Sequence, residues 1–150
     1  MPDAAVDVDA GGRRLSLGVT AVRDLARFVL ARERVPAAML SIAFVSRRGI
    51  AALNRDHLGH PGSTDVITFA HGRPARGVPI VGDVYIAPDV VREQARRLGV
   101  PVREELARVV VHGVLHALGH DHPETSARTV SPMWRRQERL LGAARSAGLW

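Results

Sequence analysis

The sequence predicts an α+β domain with one roughly four-stranded sheet and about five helices. Three observations predict it. Four short runs are rich in β-branched residues and bounded by turn residues, and five longer segments carry apolar residues at helical spacing. No repeat, linker or low-complexity tract divides the chain. At 150 residues it suits a single domain, 1–150, long enough for one proper core.

Residues 5–17 read as a first strand ending in Arg-Arg-Leu-Ser-Leu. Thr20 is the expected N-cap of an amphipathic helix from 21 to about 34, with Val22, Leu25, Ala26, Val29 and Leu30 on one face and Pro36 closing it. Residues 40–46 alternate and should form a strand. A short helix from Arg47 to about His57 follows, carrying Ile50, Leu53 and Asn54. After a Gly/His/Pro loop at 59–63, residues 65–69 form a short strand, and 71–79 is expected to be an exposed loop. Residues 82–87 are the fourth strand. Pro88 opens a helix that Gly99 ends. Pro101 starts the next helix, running to Leu118; 123–131 reads as a loop, and 132–147 as a last helix with Met133, Leu140, Leu141 and Ala144 inward.

The helix ending near Leu118 carries the chemistry. Side chains four apart share a helix face, so His112 and His116 stand one turn apart with both rings pointing the same way. Gly119 falls where a helix ends in a left-handed residue, and the turn it makes returns His122 toward the other two rings. Three neutral imidazoles around an open position are the ligand set of a catalytic zinc site. The pair alone also fits two partly buried, hydrogen-bonded histidines; the full spacing H-x-x-x-H-x-x-G-x-x-H is what points to a metal. His120, directly after the turn, is expected to point elsewhere.

Composition narrows the class. There is no cysteine, so no disulfide framework exists and any metal must be held by histidine or carboxylates. No apolar stretch is long enough to span a bilayer, and the start at Met1 lacks the layout of a signal peptide; a cytoplasmic protein is expected. The formal charge is +6, and every one of the 21 basic residues is arginine. Residues 11–60 hold nine arginines against three acids, a balance that suits a polyanion such as nucleic acid and equally a set of solvated helix faces.

The run from His112 to His122, HGVLHALGHDH, closely resembles the signature H-G-x-L-H-L-x-G-Y-D-H of the YbeY family, bacterial endoribonucleases of ribosomal RNA maturation. Leu53-Asn54 and the segment 64–69 (TDVITF) resemble that family's L-N-x-x-Y-R and P-T-D-V-L-S-F segments. Residues 82–84 resemble its G-D-I/V strand, and 133–141 its last helix. The similarity spans about residues 40 to 141, in order. It implies a mixed sheet beside the zinc helix and one zinc per chain on His112, His116 and His122. The implied activity is a zinc-activated water cleaving single-stranded RNA in 16S rRNA 3′-end maturation and ribosome quality control, with the ribosome or its small subunit as partner and no membrane.

Three positions depart from the family pattern. Its Tyr-Arg is His57-Leu58 here, its loop proline is Ser63, and its signature tyrosine is His120. Leucine cannot donate to a phosphate, so another arginine must stabilise the developing charge if activity is retained. Arg55 is the first choice, with Arg108, Arg73 and Arg76 as further candidates. Asp121 is expected to orient a histidine, or else to take a proton from the water. Thr64 and Asp65 can bind substrate or cap a turn. Two other classes remain. A zinc-containing, ribosome-associated RNA-binding factor with weakened catalysis is favoured by Leu58. A metallopeptidase is disfavoured because the position after the first histidine, which carries the general-base glutamate in those enzymes, is Gly113.

Overall fold

The computed structural model describes residues 4–150, the side chain of Ser126 aside. The start at Met1, from which no signal peptide is expected, lies outside the described residues. Four strands form one mixed sheet in the order β1-β2-β4-β3. Strands β1 (Ala5–Asp9), β2 (Ala38–Phe44) and β4 (Ile80–Ile86) run parallel, and β3 (Val66–Gly72) pairs antiparallel with β4 at the edge. Five α-helices accompany them: α1 (Val19–Arg32), α2 (Arg47–Leu58), α3 (Pro88–Leu98), α4 (Val102–Ala117) and α5 (Pro132–Ser146). The α+β architecture with a four-stranded sheet and a central histidine helix is the one expected.

Strands β2 and β4 each begin two residues earlier than expected, and four further differences stand out. The first strand stops at Asp9, not at residue 17. There the Asp9 carboxylate accepts from the Gly11 N–H at 2.8 Å, and Gly11 and Gly12 take positive φ, turning the chain out of the sheet. Leu17 is nonetheless fully buried, which explains why the segment's alternation read as strand. Helix α1 begins at Val19 with Gly18 as its N-cap and no side-chain cap; Thr20 is already inside it. Strand β3 continues to Gly72, so the exposed loop starts later than expected. The 123–131 loop contains a 3₁₀ turn, Ser126–Val130.

Helix α4 is the centre of the molecule. Its apolar face, with Leu106, Val110, Val111, Val114 and Leu115, joins Val22, Leu25 and Val29 of α1 and Leu40, Ile42 and Val84 of the sheet in one core. Two glycines let the helix settle close on the sheet. A Cβ at Gly113 would stand 2.6 Å from Val84 Cγ1, and one at Gly82 would stand 2.8 Å from Ala117 Cβ. Real Cβ atoms do not approach that closely, so no side chain fits at either position without displacing the helix. The Thr68 hydroxyl of β3 donates to the Gly113 carbonyl at 3.3 Å and ties the edge strand to the same turn of helix.

Candidate metal centre

The end of α4 brings the three expected histidines together. Gly119 adopts φ +100, and the His120 N–H closes back on the Leu115 carbonyl at 3.0 Å, so the chain reverses immediately after the helix. The imidazoles of His112, His116 and His122 then face one another, with ring centroids 4.6, 5.0 and 4.9 Å apart and one nitrogen of each within 4.8 Å of the others. His120 turns away, as expected, and pairs with Glu33 at the end of α1 at 2.6 Å.

The hydrogen bonds decide which nitrogens are available. Nδ1–H of His112 donates to Gln137 Oε1 at 2.5 Å, that of His116 to the His120 carbonyl at 2.9 Å, and that of His122 to the Pro123 carbonyl at 2.9 Å. Gln137 Nε2 donates to Glu138 Oε2 at 3.0 Å, which points the Gln137 oxygen at His112. With every Nδ1 carrying its proton toward an oxygen, every Nε2 keeps a lone pair. His112 Nε2 and His122 Nε2 lie 3.3 Å apart, two lone pairs facing each other. Two nitrogens bound to a tetrahedral zinc at about 2.0–2.1 Å are about 3.3 Å apart, so this pair is spaced as two ligands of such an ion would be.

Burial disfavours the charged form of His112 and His116. It pushes the His112 imidazole, 9 % exposed, down to about 4, against the pull of the Gln137 hydrogen bond. His116 is also held below its ordinary value, by burial first and then by His122. Arg128 adds to both effects. A proton-free, desolvated imidazole is the form that ligates.

The cluster floors a cavity of about 450 Å³, within the range of about 300–1,000 Å³ typical of ligand clefts. Thr64, Asp65 and Asp121 line it, as does Leu58. Thr64 Oγ1 donates to Asp65 Oδ1 at 3.3 Å, and Asp65 Oδ2 accepts from Gln94 of α3 at 3.1 Å, so Asp65 is anchored to the interior. Asp121 accepts from the His122 N–H at 2.8 Å; it braces the backbone of the third histidine and makes no bond to a ring.

Two of the expected arginines are elsewhere. Arg55 does not border this cavity; its side chain is 68 % exposed and pairs with the adjacent Asp56 at 3.0 Å. Arg108 does not border it either. Its guanidinium is held by Glu105 at 2.7 Å, Glu138 at 3.0 Å and Glu104 at 3.4 Å. Burial opposes that charge, but the hydrogen bonds to Glu138 and Glu105 outweigh it and raise the pKa above the ordinary arginine value. Arg108 shares its helix face with His112, one turn on, but the three carboxylates hold its guanidinium short of the cleft.

Two residues of the site escaped the sequence reading. Gln137 is completely buried and sits at helical spacing from Met133, Leu140 and Leu141, a polar residue on an apolar face that pattern alone could have flagged. Arg128 lines the cavity from the 3₁₀ turn, in a stretch read only as loop; nothing in its spacing marks it.

The family described as Endoribonuclease YbeY matches residues 16–145. The endoribonuclease YbeY of Acidothermus cellulolyticus is 39% identical over 135 residues, covering 82% of this chain and 81% of that protein. That of Frankia alni is 36% identical over 130 residues, covering 79% and 71%. The solution structure of TM1509 from Thermotoga maritima superposes with a TM-score of 0.61 at 25% identity, over 96% of this chain and 94% of that one.

Proposed function

The chain belongs to the endoribonuclease YbeY family, and from that premise we propose that it cleaves single-stranded RNA with the help of one zinc ion held by Nε2 of His112, His116 and His122. Its substrate would be the 3′ end of 16S rRNA and the RNA of defective ribosomes, met on the small subunit in the cytoplasm. The observation that carries the reading is the protonation pattern: three Nδ1–H groups donate to oxygens, leaving three lone pairs converging on the wall of an open cleft.

When bound, such an ion supplies Lewis acidity and a water acidified from a pKa of about 15.7 to about 7. The rest of the work falls to the chain. Gln137 and the two backbone carbonyls keep the imidazoles in one tautomer and orientation. Asp121 fixes the backbone of His122 and stands at the cavity wall, where it can accept a proton from the attacking water. Thr64, at the mouth of β3, offers a hydroxyl to substrate, while Asp65 holds that segment in place through Gln94. A peptidase has no support, because a glutamate at position 113 would collide with Val84.

One observation favours a second reading. Leu58 lines the cleft, 45 % exposed, at the position where the family pattern has arginine. That leaves a zinc-containing RNA-binding factor with weakened catalysis as the alternative. Metal content and cleavage of a single-stranded RNA, measured on the same preparation for wild type and His116→Ala, separate the two. We expect about one zinc per chain in the wild type, and in His116→Ala a loss of at least about 10³-fold in activity, several kcal/mol of charge stabilisation going with the ion. Zinc without turnover in the wild type would favour the binding factor. No metal would overturn both.

A further inference from the structure

The cleft is short of positive charge for a site that meets a polyanion. The chain has no lysine, and Arg128 is the one arginine among the residues lining the cavity, against the carboxylates of Asp65, Asp121 and Glu124. Leu58, on the α2 side, brings none. Arg47, at the start of α2, donates to Ser63 Oγ at 3.3 Å and is paired with Glu93. Arg73 is spent on the Val78 carbonyl at 2.7 Å, and Arg55 and Arg108 are paired outside the cleft.

Arg128 is placed differently. Among the described residues no carboxylate pairs with its guanidinium, which lies over the Trp134 ring of α5 at 5.6 Å from the centroid. The indole face steadies a cation without neutralising it or using up its N–H donors. The neighbouring Thr125 hydroxyl accepts from the Ala127 N–H, and the Ser131 hydroxyl, buried, donates to the Arg128 carbonyl at 2.6 Å, so the backbone that carries the arginine is held at both ends. A planar donor fork held beside three metal-ligating nitrogens matches a phosphate bridging the two.

We propose that Arg128 contacts the scissile phosphate and supplies, from the 3₁₀ turn, the positive charge that the α2 side of the cleft lacks at Leu58. This rests on the nuclease reading above. It makes Arg128 a catalytic residue whose guanidinium donates to a non-bridging phosphoryl oxygen as negative charge builds there.

The test uses the zinc-loaded chain with two probes: a short single-stranded RNA for cleavage, and its 2′-O-methyl counterpart, verified to stay intact over the measurement, for binding by fluorescence anisotropy across a salt series. Arg128→Ala is expected to lower kcat by about 10²–10³-fold with zinc content and thermal unfolding unchanged. It should also flatten the slope of log affinity against log salt by about 0.7, the value of one lost phosphate contact on a single strand. Arg128→Lys should recover only part of the rate, keeping the charge without the fork. Leu58→Arg combined with Arg128→Ala should regain cleavage from the opposite wall. The proposal is overturned if Arg128→Ala cleaves within about threefold of wild type, or if Arg55→Ala takes the loss instead. If wild type binds the 2′-O-methyl strand but cleaves no RNA, the nuclease reading fails, and the salt slope then judges the Arg128 contact alone: an unchanged slope overturns it.

Discussion

Helix α4 carries two buried polar clusters, and they are built on opposite principles. Near its N-terminus Arg108 is enclosed by Glu104, Glu105 and Glu138, with Glu105 only 2 % exposed; charge meets charge, and Arg108 spends Nη1, Nη2 and Nε on them. At its C-terminal end three imidazoles, His112 and His116 on the helix and His122 just beyond it, are oriented just as firmly but turn Nε2 atoms toward one another. The first cluster is complete as it stands. The second has acceptors for its protons and, among the described residues, no donor for its lone pairs, an arrangement that could hold a cation. The two are joined through α5: Arg108 to Glu138, Glu138 to Gln137, Gln137 to His112. A saturated cluster thus backs an unsaturated one, and the contrast separates structure from chemistry on a single helix.

Three measurements can break or sharpen that contrast. The largest effect is expected at the saturated end. Arg108→Met leaves Glu105 buried without its partner and should cost about 3–5 kcal/mol of folding stability in urea denaturation. A loss under about 1 kcal/mol would mean that the arginine is not what compensates Glu105. Next is the joint. Gln137→Leu removes the acceptor of His112 Nδ1 while leaving the imidazole in place. It should weaken zinc by about 10–100-fold in competition with a chelating dye, with the fold intact. An unchanged affinity would detach α5 from the metal centre.

The smallest effect is the response of the unsaturated end to acid. His112 has its folded pKa lowered from 6.5 to about 4, so the unfolded chain takes up a proton first. That stability is therefore complete above pH 6.5 and is lost as the pH falls toward 4, by about 1 kcal/mol between pH 7 and 5.5 in the metal-free protein. His116, lowered in the same direction, adds to it. Urea titrations of metal-free wild type and His112→Asn over this range would show the slope shrinking in the variant; equal slopes would contradict the assignment.

The order of strands and helices was legible because each apolar run kept one period throughout, as Val22 to Leu30 of α1 did. The three-histidine cluster was legible because all three residues fall in one stretch whose turn depends on Gly119. What was not legible lies in contacts between segments distant in sequence. Leu15 and Leu17 alternate like a strand, yet it is the Asp9 side chain closing on Gly11 that ends β1. Arg55 and Arg108 were plausible phosphate ligands by sequence distance from the motif, and only packing reveals that nearby carboxylates hold both. Arg128 gains its position from a 3₁₀ turn and an indole on the following helix, neither of which has a local signature.

The close seat of Gly113 on Val84 and of Gly82 on Ala117 works as a mechanical index. A helix lying on a sheet can in principle slide by a turn, about 5.4 Å, with modest change in apolar contact. Here any such slip would drive a side chain of α4 into the strand, so the helix has one stop. His112 and His116 ride on α4 and His122 on the turn that follows it, whereas Thr64 and Asp65 ride on the approach to β3. The gap between them, through which a nucleic acid strand would have to pass, is therefore gauged by two side chains that are absent.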